Sequence, residues 1–219
     1  MTVTVTWSVK GGSGTTVVAC ALALAAAKDA DVLLVDLAGD APAVLGIAEP
    51  PLPGAWAWLA GAEADLAACA TPAAERLRLV AAGARSVAPP TARATVPDAR
   101  WEALVRAAGA LAAHVVVDAG TGAPPEALVE LADEALLVVR PCYLALRRAS
   151  LQERRPTGVV LVAEAGRALG RRDVEGVVGA RVRCEVPVDP AIARCVDAGL
   201  LATRVPRALA DALTPRPAA

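Results

Sequence analysis

The chain has 219 residues, of which 56% are apolar and 21% are charged, and its formal net charge is −1. A chain this long can bury a sizeable core, and so apolar a composition excludes an intrinsically disordered protein. The balanced charge gives no reason to expect a general nucleic-acid-binding surface. The five cysteines are scattered without C-x-x-C spacing, which indicates buried free thiols in a reducing compartment instead of disulfides or a metal site. We therefore expect a cytoplasmic protein.

The longest apolar run covers residues 17–27 and is too short to span a bilayer. A strand-like segment and a glycine loop precede this run, instead of the basic cluster of a signal peptide, so we interpret it as a helix. The sequence thus predicts no transmembrane segment. We expect a single domain over residues 1–213 and a flexible, proline-containing tail over residues 214–219.

Predicted strands and helices alternate along the chain. Their order implies a mostly parallel sheet with helices on both faces, a three-layer α/β fold. Trp56 and Trp58 could pack in the core or form a surface for a partner, and we favour the core. In chain order we predict a strand at 2–9, a helix at 17–28, a strand at 32–36, short helices within 41–75, a strand at 77–81, a helix at 97–113, a strand at 115–118, a helix at 126–131, a strand at 135–139, a helix at 143–154, strands at 159–162 and 181–186, and helices at 190–199 and 206–213.

The glycine-rich segment between the first strand and the first helix is a candidate phosphate-binding loop. Glycines let successive backbone N–H groups converge on anionic oxygens, and the start of the following helix carries partial positive charge. The candidate nucleotide-binding residues are Lys10, Gly11, Gly12, Ser13, Gly14, Thr15 and Thr16.

Position 15 of this loop carries a threonine where the G-x-x-x-x-G-K-[ST] pattern has a lysine that reaches the β- and γ-phosphates. Losing that charge-assisted bond, worth about 1.5–3 kcal/mol, would weaken nucleotide binding by about 10- to 150-fold. Thr16 occupies the place of the hydroxyl that binds Mg²⁺ in the same pattern. Asp36 and Asp118 end buried strands, and ligands of parallel sheets bind beyond such ends. Thr16, Asp36 and Asp118 are therefore the candidate Mg²⁺ ligands.

The segment K-G-G-S-G-T-T at residues 10–16 resembles the deviant Walker A loop of the ParA/MinD superfamily, K-G-G-x-G-K-T. In that family the early lysine, here Lys10, reaches across an ATP-sandwich dimer to the phosphates bound by the partner. Asp36 in V-L-L-V-D-L resembles the acid after the family's second strand. Asp118 in V-V-V-D-A-G resembles the Walker B acid, with residues 120–122 as the mobile segment behind it.

The resemblance extends over residues 2–213, and residues 186–199 are similar to the family's late proline-containing loop and helix. It implies a P-loop NTPase-like fold, weak binding of ATP and Mg²⁺, a homodimer and an unidentified protein partner. Besides Thr15, two places depart from the family. Ala38 stands where a second acid helps to position the attacking water, and no adenine-reading Asn occurs near residues 163–164. Such a degenerate pattern is similar to the TadZ/CpaE type, associated with positioning pilus-assembly machinery.

Two functions fit this resemblance. The first is a nucleotide-dependent switch for spatial positioning or partitioning, with weak or absent hydrolysis, in which Lys10 of a partner supplies the missing cation. The second is a pseudo-ATPase scaffold that binds a protein partner without nucleotide. A Rossmann dinucleotide binder is a third class, because Gly12, Gly14 and Asp36 partly fit its fingerprint. Its third glycine would be Val17, and it leaves Lys10 and Asp118 unexplained.

Three pairs of adjacent arginines could face DNA, as in ParA relatives. The alternative, which we favour, is that they lie on solvated helix faces and pair with Glu153 and Asp173. The pairs are Arg147 and Arg148, Arg154 and Arg155, and Arg171 and Arg172.

Overall fold

The computed structural model describes residues 1–51, 53–61, 65–83 and 95–213. The predicted tail at 214–219 lies outside these residues. The strands are β1 (Thr2–Ser8), β2 (Val32–Asp36), β3 (Ala70–Ala74), β4 (Leu77–Val80), β5 (His114–Thr121), β6 (Glu134–Val139), β7 (Gly158–Ala163) and β8 (Val182–Pro187). The helices are α1 (Thr15–Ala26), α2 (Ala41–Leu45), α3 (Ala55–Leu59), α4 (Asp98–Leu111), α5 (Glu126–Glu130), α6 (Tyr143–Ser150), α7 (Arg171–Val178), α8 (Pro190–Asp197) and α9 (Arg207–Leu213), with a 3₁₀ helix at Leu66–Cys69.

The eight strands form one sheet in the order β3-β4-β2-β5-β1-β6-β7-β8. All neighbours pair in parallel except β3 and β4, which are antiparallel. The predicted mostly parallel sheet is therefore confirmed. Because β1 lies between β5 and β6, and β2 pairs with β5, the carboxyl ends of β1, β2 and β5 meet at one edge of the sheet.

Helices cover both faces of the sheet, as predicted for a three-layer fold. One core packs against α3 to α7 and includes Val3, Val5 and Trp7 of β1. The other core packs against α1, α2, α8 and α9. The threonines that alternate with these residues in β1 give a central strand an unusually polar sequence. Thr6 is nevertheless fully buried, and its hydroxyl donates a hydrogen bond to the Val117 carbonyl at 3.4 Å.

Tryptophans organise the core beside α4. Trp56 and Trp58 are only 7% and 8% exposed, which confirms the predicted core role. Trp56 packs edge-to-face against Trp101, with ring centroids 6.1 Å apart, and the Arg100 guanidinium lies over the Trp58 ring. All five cysteines are free. Cys20 and Cys69 are buried and the other three are half-buried.

The structure corrects the prediction in three places. The predicted helical region at 41–75 ends in strand β3, because this segment, which contains Pro72, pairs antiparallel with β4 at the edge of the sheet. The helix predicted to reach residue 154 ends at Ser150, and the helix Arg171–Val178 was not predicted. None of the helices in the described ranges has the length and apolar character needed to span a bilayer.

The paired arginines are exposed, as the solvated-face interpretation requires, but their predicted partners are wrong. Arg154 contacts Glu126 and Glu130 on α5. Arg171 pairs with Glu185 at 2.7 Å. Asp173 instead accepts a hydrogen bond from the Gly170 N–H, which caps the start of α7. Sequence neighbours failed as partners because the fold brings acids from other elements closer to the guanidinium groups.

Candidate functional site

The glycine loop joins β1 to α1 at the carboxyl edge of the sheet. Gly12 and Gly14 have left-handed backbone angles, with φ of 75° and 82°, which residues with a Cβ rarely adopt. The Lys10 carbonyl accepts hydrogen bonds from the Ser13 hydroxyl at 2.7 Å and from the Ser8 hydroxyl at 3.1 Å. These two hydrogen bonds to one carbonyl group stabilise the turn of the loop.

The backbone N–H groups of the loop are available to donate hydrogen bonds to a ligand. From Gly11 to Thr16, none of them donates a hydrogen bond to another residue in the described part of the chain. Gly14 is the N-terminal cap of α1, a helix of 12 residues, so the positive end of this helix adds to the same concave surface. The loop is thus a nest of donors that fits an anionic group such as phosphate.

An open cleft of about 710 Å³ lies in front of this nest. Its floor is the loop and the first turn of α1, and its walls come from α2, from Gly120 and Thr121 at the end of β5, and from the end of α8. The walls at α2 and α8 touch through backbone: a Cβ added at Gly46 would lie 1.6 Å from the Gly199 carbonyl oxygen. The backbones that follow α2 and α8 therefore pass very close to each other, and a glycine is needed at position 46.

Asp118 is the most unusual acid of the site. It is fully buried, its Oδ1 accepts the Gly120 N–H at 2.9 Å, and its Oδ2 has no hydrogen-bond partner among the described residues. Burial raises the pKa of Asp118 to about 6; interaction with the Thr16 hydroxyl partly offsets this rise, and the nearby charge of Asp36 adds to it. A buried carboxylate oxygen left without a donor is suited to a cation.

Asp36 is buried as well, but both oxygens of its carboxylate accept hydrogen bonds from backbone N–H groups of the segment that follows it. Its Oδ1 accepts the N–H groups of Ala38 and Gly39, both at 2.8 Å, and its Oδ2 accepts that of Ala41 at 3.0 Å. Burial raises the pKa of Asp36, and these three hydrogen bonds oppose the rise. Asp36 therefore shapes the loop that forms one wall of the cleft, and its assignment as a Mg²⁺ ligand stays a prediction.

Thr16 and Asp118 fit a Mg²⁺ ion better than Asp36 does. Mg²⁺ prefers oxygen ligands and is commonly bound by one or two protein groups, with water and phosphate completing the shell. A hydroxyl at the loop and an unpartnered buried carboxylate oxygen supply such groups. Within the described ranges no cluster of three or more His, Cys, Asp or Glu is placed to hold a metal. That finding is compatible with a site that depends on phosphate for its remaining ligands.

The altered positions lie where the loop meets the cleft. Thr15 lines the cleft and is only 7% exposed, and its hydroxyl side chain is uncharged, so it brings no cation there. Ala38 also lines the cleft, and so do the acids Asp40 and Asp197. Lys10 is half-buried and is absent from the described residues that line the cleft. Asp197 was not predicted as a site residue, because its helix is far from the loop in sequence.

A second, smaller groove of about 220 Å³ continues from the loop on the side of β7 and β8. It shares Gly12, Ser13 and Gly14 with the cleft, and most of its other lining is apolar. Arg140 is the one basic side chain among the described residues that line it. This groove is not apparent from the sequence, because its residues come from four separate segments of the chain.

The fold has known counterparts, although no protein-family model and no curated protein matches the sequence. A ParA family ATPase from Chlorobium tepidum is 21% identical, with 96% of each chain covered and a TM-score of 0.74. MinD in the MinC:MinD complex from Aquifex aeolicus is 20% identical, with 97% of this chain and 93% of that chain covered and a TM-score of 0.75. MinD complexed with Mg-ADP from Pyrococcus horikoshii is 19% identical, with 97% of this chain and 92% of that chain covered and a TM-score of 0.75. The chain therefore has the α/β fold of these P-loop ATPases.

Proposed function

We propose that this chain, which has the fold of ParA-family ATPases and MinD, is a member of that superfamily that acts as a nucleotide-dependent switch for spatial positioning or partitioning. The observation that carries the proposal is the open nest of unpartnered N–H groups between β1 and α1. A phosphate would satisfy these donors and meet the positive end of α1.

The surroundings of the nest suit the rest of a nucleotide. The apolar groove beside the loop offers a surface for a base, and it shares loop residues with the cleft that would hold the phosphates. Thr16 and the free Oδ2 of Asp118 could hold Mg²⁺ next to those phosphates. The relative with Mg-ADP bound supports the same assignment by its fold.

We expect hydrolysis to be weak or absent. Thr15 brings no cation to the phosphates, and Ala38 brings no carboxylate to a water molecule in the cleft. The missing charge could come from Lys10 of a second copy, as in the deviant Walker A loop of the superfamily. Nucleotide binding would then be coupled to dimerisation. Because both positions are altered together, we favour the degenerate TadZ/CpaE-like type and a role in positioning pilus or secretion machinery.

The test is to measure ATP binding and molecular mass across protein concentrations, with and without Mg²⁺. We expect ATP to bind more tightly at high protein concentration and to double the mass. Lys10→Ala should lose both effects. Lys28→Ala is the matched control, because Lys28 is the other lysine of the chain and lies exposed after α1. If dilute monomer binds ATP as well as concentrated protein does, Lys10 does not act across a dimer.

The alternative is a pseudo-ATPase scaffold that binds a protein partner without nucleotide. One observation favours it: Asp40 and Asp197 line the cleft, and no lysine is found among the described residues that line it. Two carboxylates without a compensating cation would repel phosphates. A scaffold should show neither ATP binding nor a change of mass with ATP and Mg²⁺. The MinC:MinD complex is an example of a protein partner bound by this fold.

A further inference from the structure

Arg140 lies at the junction of the glycine loop and the apolar groove. It directly follows β6, which pairs in parallel with β1, so its backbone is carried to the same edge of the sheet as the loop. Arg140 lines the groove together with Gly12, Ser13 and Gly14. A cation thus stands beside the loop although position 15 lacks one.

The guanidinium of Arg140 is held in place by Glu164 at the end of β7. Its Nε and Nη2 donate to the same oxygen, Oε2, at 3.2 and 2.8 Å. Arg167 donates to that oxygen as well, at 2.8 Å from its Nε. Hydrogen bonds from Arg140, and then from Arg167, hold the pKa of Glu164 below its ordinary value, so this carboxylate stays charged.

This arrangement leaves donors of Arg140 for a ligand. A guanidinium has five N–H groups in a planar fork, and contacts through Nε and Nη2 leave Nη1 unused by Glu164. Two acids, Asp189 and Asp197, also line the groove, and Asp189 accepts the Ala191 N–H at 2.7 Å at the start of its own helix. A phosphate chain leaving the nest toward the groove would meet Arg140, the one basic residue among the described residues that line the groove.

We propose that Arg140 binds the phosphate chain of a nucleoside di- or triphosphate from within the same protomer, and that it does so in place of the lysine absent at position 15. This proposal rests on the nucleotide binding inferred above. It differs from the role of Lys10, because Arg140 acts in the monomer and Lys10 acts across a dimer. Glu164 is then a positioning residue that orients the guanidinium toward the groove.

The test uses full-length protein kept dilute enough to stay monomeric, with fluorescent ADP and ATP analogues and Mg²⁺. Arg140→Gln should weaken binding of both analogues by about 10- to 150-fold, the effect of losing one charge-assisted hydrogen bond. Arg140→Lys keeps the charge without the planar fork and should fall between Arg140→Gln and the wild type. Arg167→Gln is the matched control, since it removes the other arginine on Glu164 and should change binding little.

The outcomes separate this proposal from the proposed function. If the wild type binds and Arg140→Gln binds equally well, Arg140 is not a ligand and the switch proposal survives. If Arg140→Gln and Arg167→Gln weaken binding to the same degree, the effect is a general loss of the Glu164 network, and the assignment of Arg140 fails. If the wild type binds neither analogue at any protein concentration, both proposals fail. Thermal melting of each variant shows whether it is folded.

Discussion

Replacing the buried acid of β5 should stabilise the protein in a pH-dependent way. The folded-state pKa of Asp118 is about 6, above the ordinary value of 3.8 for an aspartate side chain. The folded protein therefore holds this proton more tightly than the unfolded chain, and stability falls as the pH rises from about 4 to 6. A shift of this size corresponds to about 3 kcal/mol of unfolding free energy lost at neutral pH.

Asp118→Asn removes the charge and keeps the acceptor for the Gly120 N–H. At pH 8 we expect this variant to be more stable than the wild type by up to about 3 kcal/mol, with about half of that difference arising between pH 5 and 8. Urea unfolding at pH 5 and at pH 8 measures the difference directly. Asp29→Asn, at an exposed acid after α1, is the control and should change stability by less than about 0.5 kcal/mol at either pH.

Two results would contradict this reasoning. The stability curves of wild type and Asp118→Asn could run parallel across the pH range, which would mean that Asp118 is solvated in solution. Alternatively, Asp118→Asn could be less stable than the wild type at pH 8. The carboxylate would then be stabilised by a partner that the described contacts do not include, such as a retained metal ion.

Two further predictions concern the loop and the walls of the cleft. Thr15→Lys combined with Ala38→Asp should tighten ATP binding by about 10- to 150-fold and raise the rate of phosphate release above that of the wild type. Readily measurable ATP turnover by the unmodified protein would contradict the interpretation that its catalytic residues are degenerate. Gly46→Ala should lower the free energy of unfolding by about 2 kcal/mol or more, because its Cβ would overlap the Gly199 carbonyl. Gly61→Ala also places a Cβ at positive φ but meets no atom within 4 Å, so its cost in urea unfolding should be clearly smaller; equal costs would refute the backbone contact.

The order of elements and the position of the loop could be predicted from the sequence because both are local properties. Period-two alternation marks β1, the i, i+3, i+4 spacing marks α4, and glycines at positions 12 and 14 mark a turn that needs positive φ. The strand β3 was missed because its segment carries Pro72 and has no alternation. Its pairing with β4 at the edge of the sheet decides its conformation, and that partner is not visible in the segment itself.

By itself, the sequence determined which residues carry the chemistry of the loop: the glycines, Lys10, and a threonine at position 15. Only the tertiary structure decided how the buried acids are used, with Asp36 satisfied by three amides and Asp118 left with a free oxygen. It also decided that Arg140 stands beside the loop. The physical reason is that the hydrogen-bond partners and the neighbouring charges of a side chain depend on which strand ends the fold brings together. The spacing of residues along the sequence does not specify which strand ends meet.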